Sequence, residues 1–298
     1  MKSAAVRYGL LFLGIAGLSL AGVFYKAASA PPIAMVAWRM VIGTLVLAPI
    51  TFVLARATPD RAPLTVSDIR WSIAAGALFC VDLVVWAISL RYTSVASSAL
   101  FVSTQPIFVA ALAGAFLGER PSLAAWGGIA LGIAGIAVVG AADLRVSGGA
   151  LFGDGLAMSA ALAETVYLLI GRRVRQRIDA PRYALVVYAT CAIGCWALLF
   201  ATGVPAALTP RDLLLAGGVA LSATVIGHTL VSQSLGYMPA AVVAVSFLAQ
   251  PMLAALFALA LLHQAIPFST AAGGAIALAG IGIVAYANER QTPELTKD

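Results

Sequence analysis

Residues 90–140 read LRYTSVASSALFVSTQPIFVAALAGAFLGERPSLAAWGGIALGIAGIAVVG, and residues 235–285 read LGYMPAAVVAVSFLAQPMLAALFALALLHQAIPFSTAAGGAIALAGIGIVA. Tyr92 matches Tyr237, Gln105 matches Gln250 and Pro106 matches Pro251, all at one common separation. The Gly127 and Gly128 pair recurs one residue out of step as Gly273 and Gly274. Self-similarity at a long fixed period marks an internal duplication, so the spacing predicts a fold of two related halves. Each copy opens with an apolar run carrying one glutamine and one proline. A polar amide and a missing backbone donor are both costly in hydrocarbon, which makes these turns the first place to look for function.

The rest of the chain is built for lipid. Of its 298 residues 62% are hydrophobic and only 10% charged, with a mean hydropathy of +1.00, against about 25% charged residues in an ordinary soluble domain. Apolar runs fall near 7–25, 33–54, 70–90, 95–117, 123–140, 150–170, 183–201, 212–235, 240–262 and 268–287. At 1.5 Å per residue such runs match a hydrocarbon core of about 30 Å. The fold class expected is therefore an all-α integral membrane protein. Its ten transmembrane helices would form two five-helix repeats over 1–145 and 146–290, followed by a cytoplasmic tail over 291–298. Breakers such as Pro31, Pro121, Pro181, Pro239 and Pro267 support the gaps. The N-terminal run imitates a secretory signal ending at Ala28, Ser29 and Ala30, but it is longer than a signal core, and Pro31 would follow the cut. It is taken as the first span. Cys80, Cys191 and Cys195 all lie inside spans, and neither a disulfide framework nor a metal site is expected from them. Gly128 and Gly132 stand at the spacing of a dimer seam, although packing inside the bundle is the commoner use.

With a cytoplasmic N-terminus, 13 of the 18 basic residues fall on the inner side, including the Arg172, Arg173, Arg175 and Arg177 cluster, and Lys26, Arg39, Arg91, Arg145 and Arg211 fall on the outer side. The asymmetry puts both termini in the cytoplasm and explains the cluster as an orientation anchor without nucleic acid. Five spans per half is an odd number, so the second half enters the membrane inverted. That is the arrangement of many secondary transporters, which hold substrate near the midplane and expose it alternately to the two sides. No GxxxxGK[ST] loop serves an ATP-driven pump, and no His, Cys and carboxylate set stands at catalytic spacing, so neither an enzyme nor a cofactor is expected. A non-coupled channel and a membrane scaffold or receptor without transport remain as alternatives.

The block LRYTSVASSALFVSTQPIFVAALAGAFLGER and the segment AMVAWRM around Arg39 resemble the drug/metabolite transporter superfamily, in its ten-span EamA-type branch. The resemblance covers nearly the whole chain. It departs in the second copy, where Leu262, His263 and Gln264 replace the Leu-Gly-Glu turn. It implies export of small metabolites, often amino acids, across the bacterial inner membrane, and the chain looks similar to the aromatic and broad-range amino acid exporters.

Candidate substrate contacts follow from cost. Asp82, Glu164 and His228 sit within spans, where an ionisable group is a functional candidate by default. Asp82 and His228 occupy nearly the same place in the two repeats and are expected to face each other across the pseudo-twofold axis; the alternative is a buried structural pair. Glu164 lies nearer a span end and reads either as a site residue or as a group that snorkels to water. Arg39 reads as a clamp for a substrate carboxylate or as an interfacial anchor beside Trp38. Trp86, one turn beyond Asp82, and Phe101 and Phe108 around Gln105 would line an apolar pocket or fill helix gaps. Tyr25 and Tyr167 are candidate gate residues. Gln105 and Gln250, each just before a proline, either bind substrate beside freed carbonyls or repair their own kinked helices. Proton coupling through Asp82, Glu164 or His228, and a monomer or homodimer, complete the expectation.

Overall fold

The computed structural model describes residues 4–57, 63–89, 91–92, 101–102, 104–118, 121–141, 150–262 and 268–291. Among them every regular element is a helix, with no strand. The first rod is α1 (Ala4–Ser19) with α2 (Ala21–Ala27). Then come α3 (Pro32–Ala57), α4 (Val66–Ser89), α5 (Gln105–Leu117), α6 (Leu123–Ala141), α7 (Ala150–Arg175) and α8 (Ala180–Thr202). One further rod joins α9 (Pro210–Val219), a π-helix (Ala220–His228) and α10 (Thr229–Leu235). Another joins α11 (Ala240–Ser246), a 3₁₀ turn (Phe247–Ala249) and α12 (Gln250–Leu262), and α13 (Phe268–Gln291) ends the series. Among the described residues six stretches are long and apolar enough to cross a bilayer, including Ala4–Tyr25, Pro32–Ala57 and Val66–Ser89, and Leu123–Gly135 and Ala271–Val284 are shorter apolar helices. This is an all-α membrane protein. Most of the fourth expected span before Gln105 lies outside the described residues.

Several helices outrun their apolar stretches for local reasons. α7 continues through Arg172, Arg173 and Arg175 in its last turn, where cations suit the negative end of the helix dipole. α4 begins at Val66 because Thr65 and Asp68 cap it reciprocally. The Asp68 carboxylate accepts from the Thr65 amide at 3.0 Å and hydroxyl at 2.7 Å, and the Thr65 hydroxyl oxygen accepts from the Asp68 amide at 3.2 Å. Thr209 and Asp212 repeat the device at the start of α9, with 2.9 and 3.1 Å bonds. Each cap is also tied to the opposite half. Asp68 meets Arg177 at 3.2 Å, and Asp212 accepts from the Ser29 amide and hydroxyl, both at 2.9 Å. Arg177 follows α7 and Ser29 follows α2, so the two ties occupy equivalent places in the two repeats.

The packing has the same twofold logic. α4 packs on α7 as the π-helix packs on α1; α4 packs on α8 as the π-helix and α9 pack on α3; α5 packs on α7 as α12 packs on α1. The self-related pairs α3 with α8 and α6 with α13 also meet. Two five-rod repeats thus interlock, and the core between them holds the fully buried Phe79, Tyr167, Tyr183 and Tyr188.

The glycine spacing in α6 serves this internal packing. A Cβ on Gly128 would stand 2.8 Å from the Gly280 carbonyl oxygen, and one on Gly135 would strike the Gly273 carbonyl oxygen and sit 2.5 Å from the Ala277 nitrogen. These neighbours are backbone of α13 and cannot swing aside. Gly135→Val is therefore expected to destabilise the fold by about 1–3 kcal/mol, the usual cost of overpacking, while Gly127→Ala, whose Cβ would meet nothing within 4 Å, is neutral. Melting temperatures of the two purified variants check this; equal values would remove the glycine seam from the account.

Candidate functional site

The buried polar side chains converge where the repeats meet. Arg39 on α3 is buried, and its Nε donates to the Thr224 hydroxyl on the π-helix at 2.8 Å. The Tyr188 hydroxyl on α8 donates to the Thr224 carbonyl oxygen at 2.9 Å and lies 3.1 Å from the Thr229 hydroxyl. A π-helix shifts bonding to the fifth residue on and widens the turn, and such turns recur at functional sites. Glycines let neighbours close on it. A Cβ on Gly17 would stand 2.5 Å from the Ser222 carbonyl oxygen, and one on Gly43 would stand 2.8 Å from the Thr224 methyl.

Further ionisable groups are buried nearby. Asp82 on α4 lies within electrostatic reach of both Glu164 on α7 and Arg39, and His228 lies within reach of Arg39. Asp82 and Glu164 are both buried, and among the described residues neither has an ion-pair partner within 4.0 Å. Aromatic rings wall the group. Phe79 stacks on Tyr167 at 4.9 Å and meets His228 edge-on at 4.6 Å, and Trp86 meets Tyr25 edge-on at 5.8 Å. The Tyr25 hydroxyl lies close to the Arg39 guanidinium without a well-formed hydrogen bond.

Two alternatives fall away and one expected pairing is not made. Glu164 does not snorkel: only 5% of it is exposed, on a helix that packs along α4. Arg39 is not an interfacial anchor. At 2% exposure it is drawn into the core by Thr224, and the neighbouring Trp38 points elsewhere, its indole N–H donating to the Ala206 carbonyl at 2.8 Å. His228 does not pair with Asp82; it packs on Phe79, and among the described residues its Nδ1 has no hydrogen-bond partner.

The two glutamines differ. Gln105 is 1% exposed, and among the described residues neither its amide nitrogen nor its oxygen has a partner. It does not repair its own helix. Gln250 is half-buried, and the Phe247 carbonyl that Pro251 cannot reach instead accepts the Gln250 backbone N–H in the 3₁₀ turn. The free carbonyl expected there is thus satisfied by tightened backbone. Phe101 and Phe108 are half-buried beside Gln105. A shallow, open apolar groove of about 570 Å³ lies apart from all these groups, along α6 and α13, between Ser122, Ala124, Gly282 and Tyr286.

Phe79, Tyr188 and Thr224 were not among the sequence candidates. Phe79 sits one turn before Asp82, a signal that was available; Thr224 depends on the π-helix, for which the sequence carries no mark. The cysteines also gather unexpectedly. Cys80 Sγ on α4 lies 3.5 Å from Cys195 Sγ on α8, which lies 3.9 Å from Cys191 Sγ.

A helical membrane protein of two interlocked repeats, with ionisable and aromatic side chains buried at their junction, has the build of a small-molecule transporter. The model of the EamA-like transporter family matches the chain twice, over residues 7–141 and 151–286, and the chain belongs to that family, within the drug/metabolite transporter superfamily. No curated protein matches it. A solved structure, described only as "Crystal structure of protein", is similar with a TM-score of 0.77 at 20% identity, over 97% of this chain and 99% of that one, a likeness of fold.

Proposed function

We propose that this protein is a secondary transporter that exports amino acids, aromatic ones included, across the bacterial inner membrane by alternating access. The observation that carries the reading is the buried Arg39, held by Thr224 across the repeat junction and within electrostatic reach of Asp82, which in turn neighbours Glu164. A zwitterion fits that pattern of charge. Its carboxylate takes the guanidinium, its ammonium takes the two carboxyls, and its side chain enters the wall of Phe79, Trp86 and Tyr167. Gln105, with its unpartnered amide, supplies a further polar contact. His228 borders the same region through Phe79, and Phe101 and Gln250 are proposed to contribute from the turns that precede the two prolines. Repeats of 1–145 and 146–290 would rock about this junction, with the ties of Asp68 to Arg177 and of Asp212 to Ser29 on opposite faces.

Counterflow of labelled amino acids in proteoliposomes tests this directly. Saturable counterflow is expected; flux that neither saturates nor exchanges would mean a channel, and no flux a scaffold or receptor. Run with and without a pH gradient, the assay also reads coupling. Asp82→Asn, Glu164→Gln or His228→Gln should abolish any gradient response if that residue carries the proton. An unchanged response in all three would leave coupling to other groups, and no response in the parent would mean facilitated export.

All ten rods are proposed to cross, with both termini cytoplasmic. Reporter fusions after Leu144 should read periplasmic, and those after Arg175 and Thr296 cytoplasmic. The reverse pattern at Leu144 and Arg175 would refute the orientation.

A further inference from the structure

We propose that Cys80, Cys191 and Cys195 form a three-coordinate site for a soft d¹⁰ cation, Cu(I), bridging the two repeats. The three sulfurs all lie within 4.8 Å of one another, with Cys191 and Cys195 buried and Cys80 half-buried. A triangle with sides of roughly 4 Å has its centre about 2.3 Å from each corner, the length of a thiolate–metal bond. An ion at that centre therefore needs little rearrangement.

The site is built by the chain rather than left by chance packing. Cys191 and Cys195 stand one turn apart on α8, so their sulfurs share a face. Cys80 arrives from α4, and the approach depends on two glycines at the crossing. A Cβ on Gly194 would stand 2.9 Å from Cys80 Sγ, and one on Gly76 would stand 2.8 Å from the Val187 carbonyl oxygen. Among the described residues no histidine or carboxylate joins the three thiols. Soft sulfur donors suit both zinc and Cu(I), but zinc in closed protein sites takes four ligands. Three sulfurs without a fourth donor thus favour Cu(I).

Binding is acid–base and coordinative, with no change of oxidation state. Three S–H protons are released as three sulfur–copper bonds form, leaving a centre of net charge −2. The Arg39 guanidinium, within electrostatic reach of Cys195, offsets part of that charge. Because α4 belongs to the first repeat and α8 to the second, a bound ion ties the halves together and should raise the melting temperature.

The test is an anaerobic titration of the reduced, purified full-length protein with Cu(I) against a chromophoric Cu(I) chelator. The expected result is one equivalent retained per chain, a higher melting temperature, and an X-ray absorption spectrum with three sulfur neighbours near 2.2–2.3 Å, about the thiolate bond length. Excess Zn²⁺ should not displace the copper. Cys80→Ala, at the half-buried corner, should weaken retention by more than the roughly 10–100-fold that loss of an outer-shell partner costs, and Cys191→Ala should do the same. Should Cys191→Ala fail to fold, Cys80→Ala alone decides the matter. Failure to retain Cu(I), displacement by Zn²⁺, or retention undiminished in Cys80→Ala would each overturn the site. None of these readouts depends on transport.

Discussion

Arg39→Met is expected to lower the rate of amino acid counterflow by about 10- to 150-fold at matched amounts of folded protein. The range follows from about 1.5–3 kcal/mol for a hydrogen bond to a charged group and tenfold per 1.4 kcal/mol. Methionine keeps the apolar stem and removes the guanidinium, so the core around α3 stays filled while the substrate carboxylate loses its partner. Thr224 also loses its 2.8 Å donor from Arg39, but Tyr188 still bonds the Thr224 carbonyl oxygen, so the π-helix should persist. Arg39→Lys should fall between parent and Arg39→Met, since it restores charge without the planar fork. Counterflow of Arg39→Met at the parent rate would place the carboxylate contact elsewhere.

Gln105→Leu should separate stability from transport. Burying an amide without partners costs roughly 1–3 kcal/mol, and both polar atoms of Gln105 are in that position. Leucine removes the cost, so the melting temperature should hold or rise. Transport should fall by about tenfold, the equivalent of one lost hydrogen bond of about 1.4 kcal/mol. A helix-repairing glutamine would behave oppositely, with activity lost in proportion to folded protein. Gln250→Leu should have a smaller effect on both, because that residue is half-buried and the carbonyl behind it is already satisfied.

The repeat could be read from the sequence because its markers are chemically costly: a glutamine before a proline in an apolar run is rarely accidental, and glycines recur where backbones touch. The Thr65-to-Asp68 and Thr209-to-Asp212 caps carry an equally explicit spacing. Hydropathy passes over them because it seeks the apolar run and not the turn that starts it.

Site residues were readable one at a time but not in their partnerships. Arg39 was recognisable as costly, yet whether it anchors at the interface or enters the core depends on Thr224, 185 residues away. Asp82 and His228 hold matching places in the repeats, and equivalence suggested a pairing; in the structure Asp82 lies toward Glu164 and Arg39 instead. The cysteine cluster failed in the same way. Cys191 and Cys195 share a face by spacing alone, but Cys80 reaches them only through the glycine-lined crossing of α4 and α8. Long-range packing decides such meetings, and no local pattern encodes it.

The central claim is that the buried polar junction between the repeats is the substrate site. Equilibrium binding of a radiolabelled amino acid that shows counterflow, measured on purified parent protein and on folded Arg39→Met and Gln105→Leu, tests it most directly. The account predicts saturable binding to the parent, weakened at least about tenfold in Arg39→Met, by the energy of one charged hydrogen bond, and weakened to a lesser degree in Gln105→Leu. Parent-like affinity in both variants would contradict it.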